Sequence, residues 1–272
     1  MHELPLLTFT LCLQAAVGAV LWAVVFRIKA QDAPLFKRNT LAALILAAVG
    51  IVASLLHLGK PMLALTSMFN LATSWLSREI FFSGAFFGLL LIFWWVERRE
   101  KAPGARTALG VITAGVGLID IYAMARLYME SIMPAWQNAN TLISFYATAI
   151  VLGGIVFYVT AGEQREKLPR VDLMLWAVVL VQAAFALGYV ASLGALSGAG
   201  KETAALLAGS QATLILSWLF TLGGVFLLSL SRTGRLAKQT SFLYLAMAVI
   251  VVGEIVGRYL FYTSGIPIGL GL

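Results

Sequence analysis

Eight apolar runs follow one another along the chain, separated by short polar connectors. They cover about Leu4 to Phe26, Thr40 to Leu58, Glu79 to Val96, Arg106 to Tyr128, Asn140 to Ala161, Val171 to Ser192, Ala205 to Ser229 and Thr240 to Tyr262. A helix needs about 20 apolar residues to cross a hydrocarbon core of about 30 Å, and each run reaches that scale. A membrane β-barrel would show short segments of alternating polarity, and this sequence has none. The pattern therefore predicts an all-α fold, a bundle of eight transmembrane helices. Residues 1–272 contain no linker, low-complexity tract or convincing repeat, so they read as a single integral membrane domain.

The connectors set the orientation. Arg27, Lys29, Lys37 and Arg38 follow the first run; Arg98, Arg99, Lys101 and Arg106 the third; Arg165, Lys167 and Arg170 the fifth; Arg232, Arg235 and Lys238 the seventh. Those connectors hold 14 of the 19 basic residues. The connectors between them hold only Lys60, Arg78 and Lys201. The positive-inside bias places both termini on the non-cytoplasmic side. It also explains the formal net charge of +7 without nucleic acid, because the basic residues are scattered between apolar runs rather than gathered into a patch. Composition points the same way: with 61% hydrophobic and 11% charged residues, there are too few charges to cover the surface of a soluble domain. A multi-pass membrane location is expected.

One connector concentrates candidate chemistry. From His57 to Glu79 it reads HLGKPMLALTSMFNLATSWLSRE, with one of the two histidines at its start and a carboxylate where the next run begins. Ionisable groups near hydrocarbon are costly, which makes His57 and Glu79 candidates for a proton-handling site; helix-end charges in headgroup water are the alternative reading. Asp120, Arg126, Glu254 and Arg258 fall in the same half of the membrane by this topology. Glu254 precedes Arg258 by four residues, so the two share a helix face and are expected to form a structural ion pair, with a part in proton transfer as the other reading. Arg126 opens a connector containing Pro134 and Trp136, which fits a headgroup contact, a docking surface or a wall of the site. Small-residue spacing at Gly84 and Gly88, and at Gly253 and Gly257, predicts close helix contacts. Most tryptophans, among them Trp22, Trp75, Trp94, Trp95, Trp136 and Trp218, are expected at membrane interfaces.

The lone Cys12 excludes an intrachain disulfide and a cysteine-ligated zinc or iron–sulfur site. A buried b-type haem usually takes two axial side chains, and only His57 is well placed, since His2 precedes the first run. No haem or metal is expected in this protein. Phosphate-loop, nucleophile-elbow and zinc-protease motifs are absent from the sequence.

Taken in order, His57-Leu58-Gly59 with Pro61-Met62, Ser77 with Glu79-Ile80, Arg126-x-Tyr128 with Pro134-x-Trp136, and Gly253-Glu254 with Gly257-Arg258 and Phe261-Tyr262 resemble the membrane-anchor subunits of dimethyl sulfoxide reductase. The resemblance extends over essentially the whole sequence. It implies an anchor of anaerobic respiration, in a bacterial inner membrane, that oxidises menaquinol near the outer face and passes electrons to an iron–sulfur subunit, which feeds a molybdopterin catalytic subunit. It also implies a quinol site at His57, Gly59 and Glu79. Leu63 departs from the family pattern, which has an arginine there, leaving Lys60 or Arg126 to supply the positive charge. The chemistry suits these residues: Glu79 as proton acceptor, neutral His57 as a hydrogen-bond partner for a ring oxygen, and Gly59 giving the ring close access to the backbone. Two other functions compete with this one. A proton-coupled secondary transporter using Glu79, Asp120 and Glu254 should show midplane charges and broken helices. A purely structural anchor would have no quinol site.

Overall fold

The computed structural model describes residues 3–27, 35–57, 66, 70–99, 103–193, 198–232 and 240–268. Its long helices are α1 (Glu3–Arg27), α2 (Leu35–His57), α3 (Trp75–Arg98), α4 (Pro103–Met129), α5 (Ala139–Thr160) and α6 (Val171–Leu193), followed by a short α7 (Ala199–Gly209), then α8 (Gln211–Leu230) and α9 (Thr240–Thr263). All but α7 are long and apolar enough to span a bilayer, giving eight candidate spans. The seventh predicted run begins differently from expectation. The helix breaks at Gly209-Ser210, where the Ser210 N–H closes the last turn of α7 onto Leu206 and Leu207, and the span starts at Gln211.

The fold divides into two compact units, residues 1–124 with 148–171 and residues 125–147 with 172–272. In the first unit α1 is the buried helix, apolar all round as an enclosed helix must be. Small residues let its neighbours close on it. A Cβ on Gly18 would run into the Ala149 carbonyl of α5, and one on Gly153 would run into the Gly18 backbone. On another side Gly50 of α2 faces Phe9 and Leu13. Polar ties fix the register: Trp22 Nε1 donates to the Ile150 carbonyl at 2.9 Å, and Asn39 Nδ2 donates to the Ala19 carbonyl at 2.9 Å. Trp22 also stacks with Phe26 and Phe157. It is a core residue and not the interface anchor its place near a run's end suggests.

In the second unit α8 and α9 pair closely. Gly253 admits the Thr221 backbone nitrogen, at 2.6 Å from where a Cβ would sit, and Gly224 admits Ile250. Small-residue packing is thus realised at Gly253. Gly84 and Gly88 have no described neighbour within 4 Å of a Cβ position, and Gly84 is exposed. The predicted contact there is not made among the described residues, because α3 turns Glu79, Ser83, Phe86, Leu90 and Phe93 inward and leaves the glycine face outward. Exposed Leu180, Val181, Phe185 and Leu187 on α6 match a lipid-facing surface.

Candidate functional site

The first turns of α3 place Glu79. Ser74 caps the helix, its hydroxyl accepting from the Ser77 N–H at 3.3 Å. Arg78 folds back over the Trp75 ring and donates to the Leu71 and Ala72 carbonyls at 2.9 and 2.7 Å. The neighbouring cation is therefore spent on closing the connector. Glu79 points inward at 4% exposure, and among the described residues it makes no hydrogen bond or ion pair.

Asp120 of α4 shares the interior with it. Fully buried, it accepts from the Ser83 hydroxyl at 3.0 Å through one carboxylate oxygen and 3.1 Å through the other. Ser83 lies one turn along α3 from Glu79, on the same face. Helix register gives the levels. Gly117 of α4 faces Val17 of α1 and Phe86 of α3, and Gly110 faces Val24 and Phe93, so α4 runs antiparallel to the other two. One turn beyond Gly117, away from Gly110, the levels hold Asp120, Ser83 and Gln14; a second turn brings Met124, Glu79 and Thr10. All six are enclosed. This end of the three helices carries two acids and neutral polar groups, with no cation in the described contacts of either carboxylate.

The opposite end is built otherwise. Glu97, at the far end of α3, is 2% exposed and meets Arg27 of α1 at 2.7 Å and Arg106 of α4 at 3.5 Å. The Arg27 guanidinium also lies 4.2 Å from the Phe36 ring centroid. Two arginines that read as loop charges are thus buried partners of one carboxylate.

His57 is the last residue of α2, its side chain outside the described residues; Gly59, Lys60 and Leu63 also lie outside them. The remaining predicted residues belong to the second unit. Arg126 is paired with Glu130 one turn on, both partly exposed, so its charge is already engaged. Glu254 and Arg258 are both buried, and the opposite charge of Glu254 reaches Arg258. The Arg258 guanidinium sits over the Phe145 ring, 3.9 Å from its centroid. Around it Tyr128 packs against Trp136, Phe145, Phe261 and Tyr262 with ring centroids 5.1 to 5.7 Å apart. Trp136 donates from Nε1 to the Phe261 carbonyl at 2.8 Å, and the Tyr128 and Tyr262 hydroxyls meet at 3.3 Å. The motifs scattered between Arg126 and Tyr262 therefore converge on one aromatic cluster, with Trp136 a core residue within it. Sequence reasoning missed the Ser83–Asp120 bond, which links residues 37 positions apart; the only signal was an aspartate inside an apolar run. Among the described residues no group of three or more His, Cys, Asp or Glu side chains could hold a metal ion.

Residues 1–264 match the family model of the DMSO reductase anchor subunit (DmsC). The sequence is 30% identical to the C subunit of the anaerobic dimethyl sulfoxide reductase of Haemophilus influenzae, over 99% of its own length and 98% of that protein. It is 29% identical to the YnfH subunit of an anaerobic dimethyl sulfoxide reductase of Escherichia coli and 26% identical to a C subunit from the same organism. Both matches cover all of the present sequence and 98% of theirs.

Proposed function

The protein belongs to the DMSO reductase anchor-subunit family, and from that premise we propose that it is also the quinol-oxidising subunit of its complex, with Glu79 as the proton acceptor. As an anchor it is a multi-pass membrane protein that implies catalytic and electron-transfer partner subunits. Menaquinol enters from the bilayer at the end of α3 where Glu79 lies, near the outer face of a bacterial inner membrane, with both termini on that side. An iron–sulfur subunit takes the electrons and delivers them to a molybdopterin subunit.

The observation that carries this reading is Glu79 itself, a carboxylate enclosed on a membrane helix without a described partner. Leaving a charge there costs several kcal/mol of solvation, whereas a group that exchanges a proton with a bound diol is useful in that place. Glu79 accepts the hydroxyl proton as electrons leave the ring. His57, at the end of the preceding span, orients the ring through one imidazole nitrogen, and Gly59 and Lys60 complete the binding surface in this reading.

Glu79→Gln keeps size and hydrogen-bonding reach but cannot take the proton. The complex is expected to assemble and to keep its activity with a dye that reduces the iron–sulfur partner directly. Turnover with a quinol analogue is expected to fall by about 10²-fold or more, the usual scale for a lost general base. Normal quinol turnover in both Glu79→Gln and His57→Ala would place the site elsewhere or leave the protein a passive anchor.

A further inference from the structure

Oxidising a quinol releases two protons, and a single carboxylate accommodates one of them at a time. On the α3–α4 face a second acid stands ready. Asp120 is fully buried, is held by the Ser83 hydroxyl at 3.0 and 3.1 Å, and has no cation among its described contacts. Ser83 is one helical turn from Glu79, so the three residues form a file running from the lip of the helices inward: Glu79, Ser83, Asp120. The neighbouring buried positions at these levels, Thr10 and Gln14 on α1, are neutral and uncharged at any ordinary pH. Two enclosed carboxylates about one helical turn apart in level, with no described cation to offset them, are poorly stable as two anions. A pair of that kind is suited to holding and passing a proton, as the Glu97 carboxylate beside Arg27 and Arg106 is not.

We infer that Asp120 is the second proton station of the quinol site, receiving through the Ser83 hydroxyl the proton that Glu79 takes from the substrate. The inference rests on the reading of Glu79 as the proton acceptor. In the first step a quinol O–H bond breaks, its proton bonds to the Glu79 carboxylate, and an electron passes to the iron–sulfur partner. The Glu79 acid, which lies one turn from Ser83 on the same face, swings about its side-chain torsions to reach the Ser83 oxygen and gives its proton to it while the Ser83 proton moves to Asp120. Ser83 ends unchanged, Asp120 ends neutral and Glu79 is again a carboxylate. It takes the second quinol proton as the second electron leaves. Both protons later return to water at the Glu79 end, since Asp120 is enclosed. Asp120 touches no substrate in this scheme. It sets how fast the second deprotonation can follow the first.

The test uses the intact membrane-bound complex. Asp120→Asn preserves the shape and still accepts from Ser83 but cannot hold the proton. With a quinol analogue kcat should fall about tenfold or more while KM stays near wild type, because the ring contacts are untouched. Dye-driven turnover should not change, and Asp120→Glu should recover much of the rate. Redox-induced infrared difference spectra should contain two carboxylic-acid carbonyl bands, one lost in Glu79→Gln and the other in Asp120→Asn. Wild-type kcat in an assembled Asp120→Asn complex, or survival of both bands, overturns the inference. Should Asp120→Asn fail to assemble, Ser83→Ala decides: a slowed kcat with unchanged KM supports the relay, and a normal kcat overturns it. A normal Asp120→Asn beside a defective Glu79→Gln removes the second station and leaves the quinol site standing. Normal turnover in both variants removes the site as well.

Discussion

One helix, α3, carries a buried glutamate near each end, and the two are treated in opposite ways. Glu97 lies between Arg27 and Arg106, which bring it two positive charges from α1 and α4 and, from Arg106, a hydrogen-bond donor. Glu79 is enclosed to nearly the same degree, yet its described surroundings offer neutral side chains and a second acid. The nearest arginine in sequence, Arg78, is turned away onto connector carbonyls. Burial alone therefore does not mark a functional carboxylate. What distinguishes the ends is compensation. A carboxylate with two guanidinium partners ties three helices together, while one without a described partner has no such structural task.

The largest stability effect is expected at the compensated end. Glu97→Ala removes the carboxylate that two buried guanidinium groups share, and removing one partner of a buried pair typically costs about 3–5 kcal/mol. We expect the anchor to accumulate poorly or to leave solution on mild heating in detergent, and the dye-linked activity of the membrane fraction to fall with it. Any complex that does assemble should oxidise quinol at the wild-type rate per molecule. A Glu97→Ala complex of normal abundance but slow quinol turnover would break the comparison, because it would assign chemistry to the structural end.

Only half of this contrast was legible in the sequence. The runs gave eight spans, and the abrupt charge at Glu79 marked a candidate, because an apolar run that opens on a carboxylate needs a reason. Arg27, Arg106 and Glu97 sit where runs meet connectors, and there nothing local distinguishes a solvated loop charge from a buried pair. The Ser83–Asp120 bond joins positions 37 residues apart and the Trp136–Phe261 bond positions 125 apart, and such pairings depend on how helices rotate about their axes. Rotation also explains the glycines. Gly18 and Gly153 make the tight contact in the first unit, while Gly84 and Gly88, with the more familiar spacing, meet no described neighbour. The break before α8 escaped because Gly209-Ser210 lies inside a region that stays apolar on both sides.

A smaller effect separates the two arginines. Arg27 meets Glu97 at 2.7 Å and stacks over Phe36, whereas Arg106 reaches the same carboxylate at 3.5 Å. Methionine keeps much of the stem volume and removes the charge. Arg27→Met should cost about 2–3 kcal/mol and Arg106→Met about half of that, since each leaves the other guanidinium in place, the Arg27 contact to the carboxylate is the shorter, and Arg27 also loses its place over Phe36. Heat-induced loss of the detergent-solubilised anchor would rank them. Equal losses, or a larger loss for Arg106→Met, would show that the unequal distances do not reflect unequal interactions.

The smallest stability effect is expected where the chemical effect is largest. Glu79→Gln removes a buried acid that has no described ionic partner, so the folded state loses no ion pair and is relieved of one repulsion toward Asp120. The carboxamide still has to be enclosed, which offsets part of that gain. The net change should lie within about 1 kcal/mol of wild type, with stabilisation the favoured sign. Heating the solubilised complex and measuring the fraction of anchor that remains soluble gives the comparison directly against Glu97→Gln, which should be clearly less stable. A loss of about 2 kcal/mol or more for Glu79→Gln would mean that Glu79 is anchored by an ionic partner as Glu97 is. The two ends of α3 would then be alike, and the reason for assigning a proton to one of them would be gone.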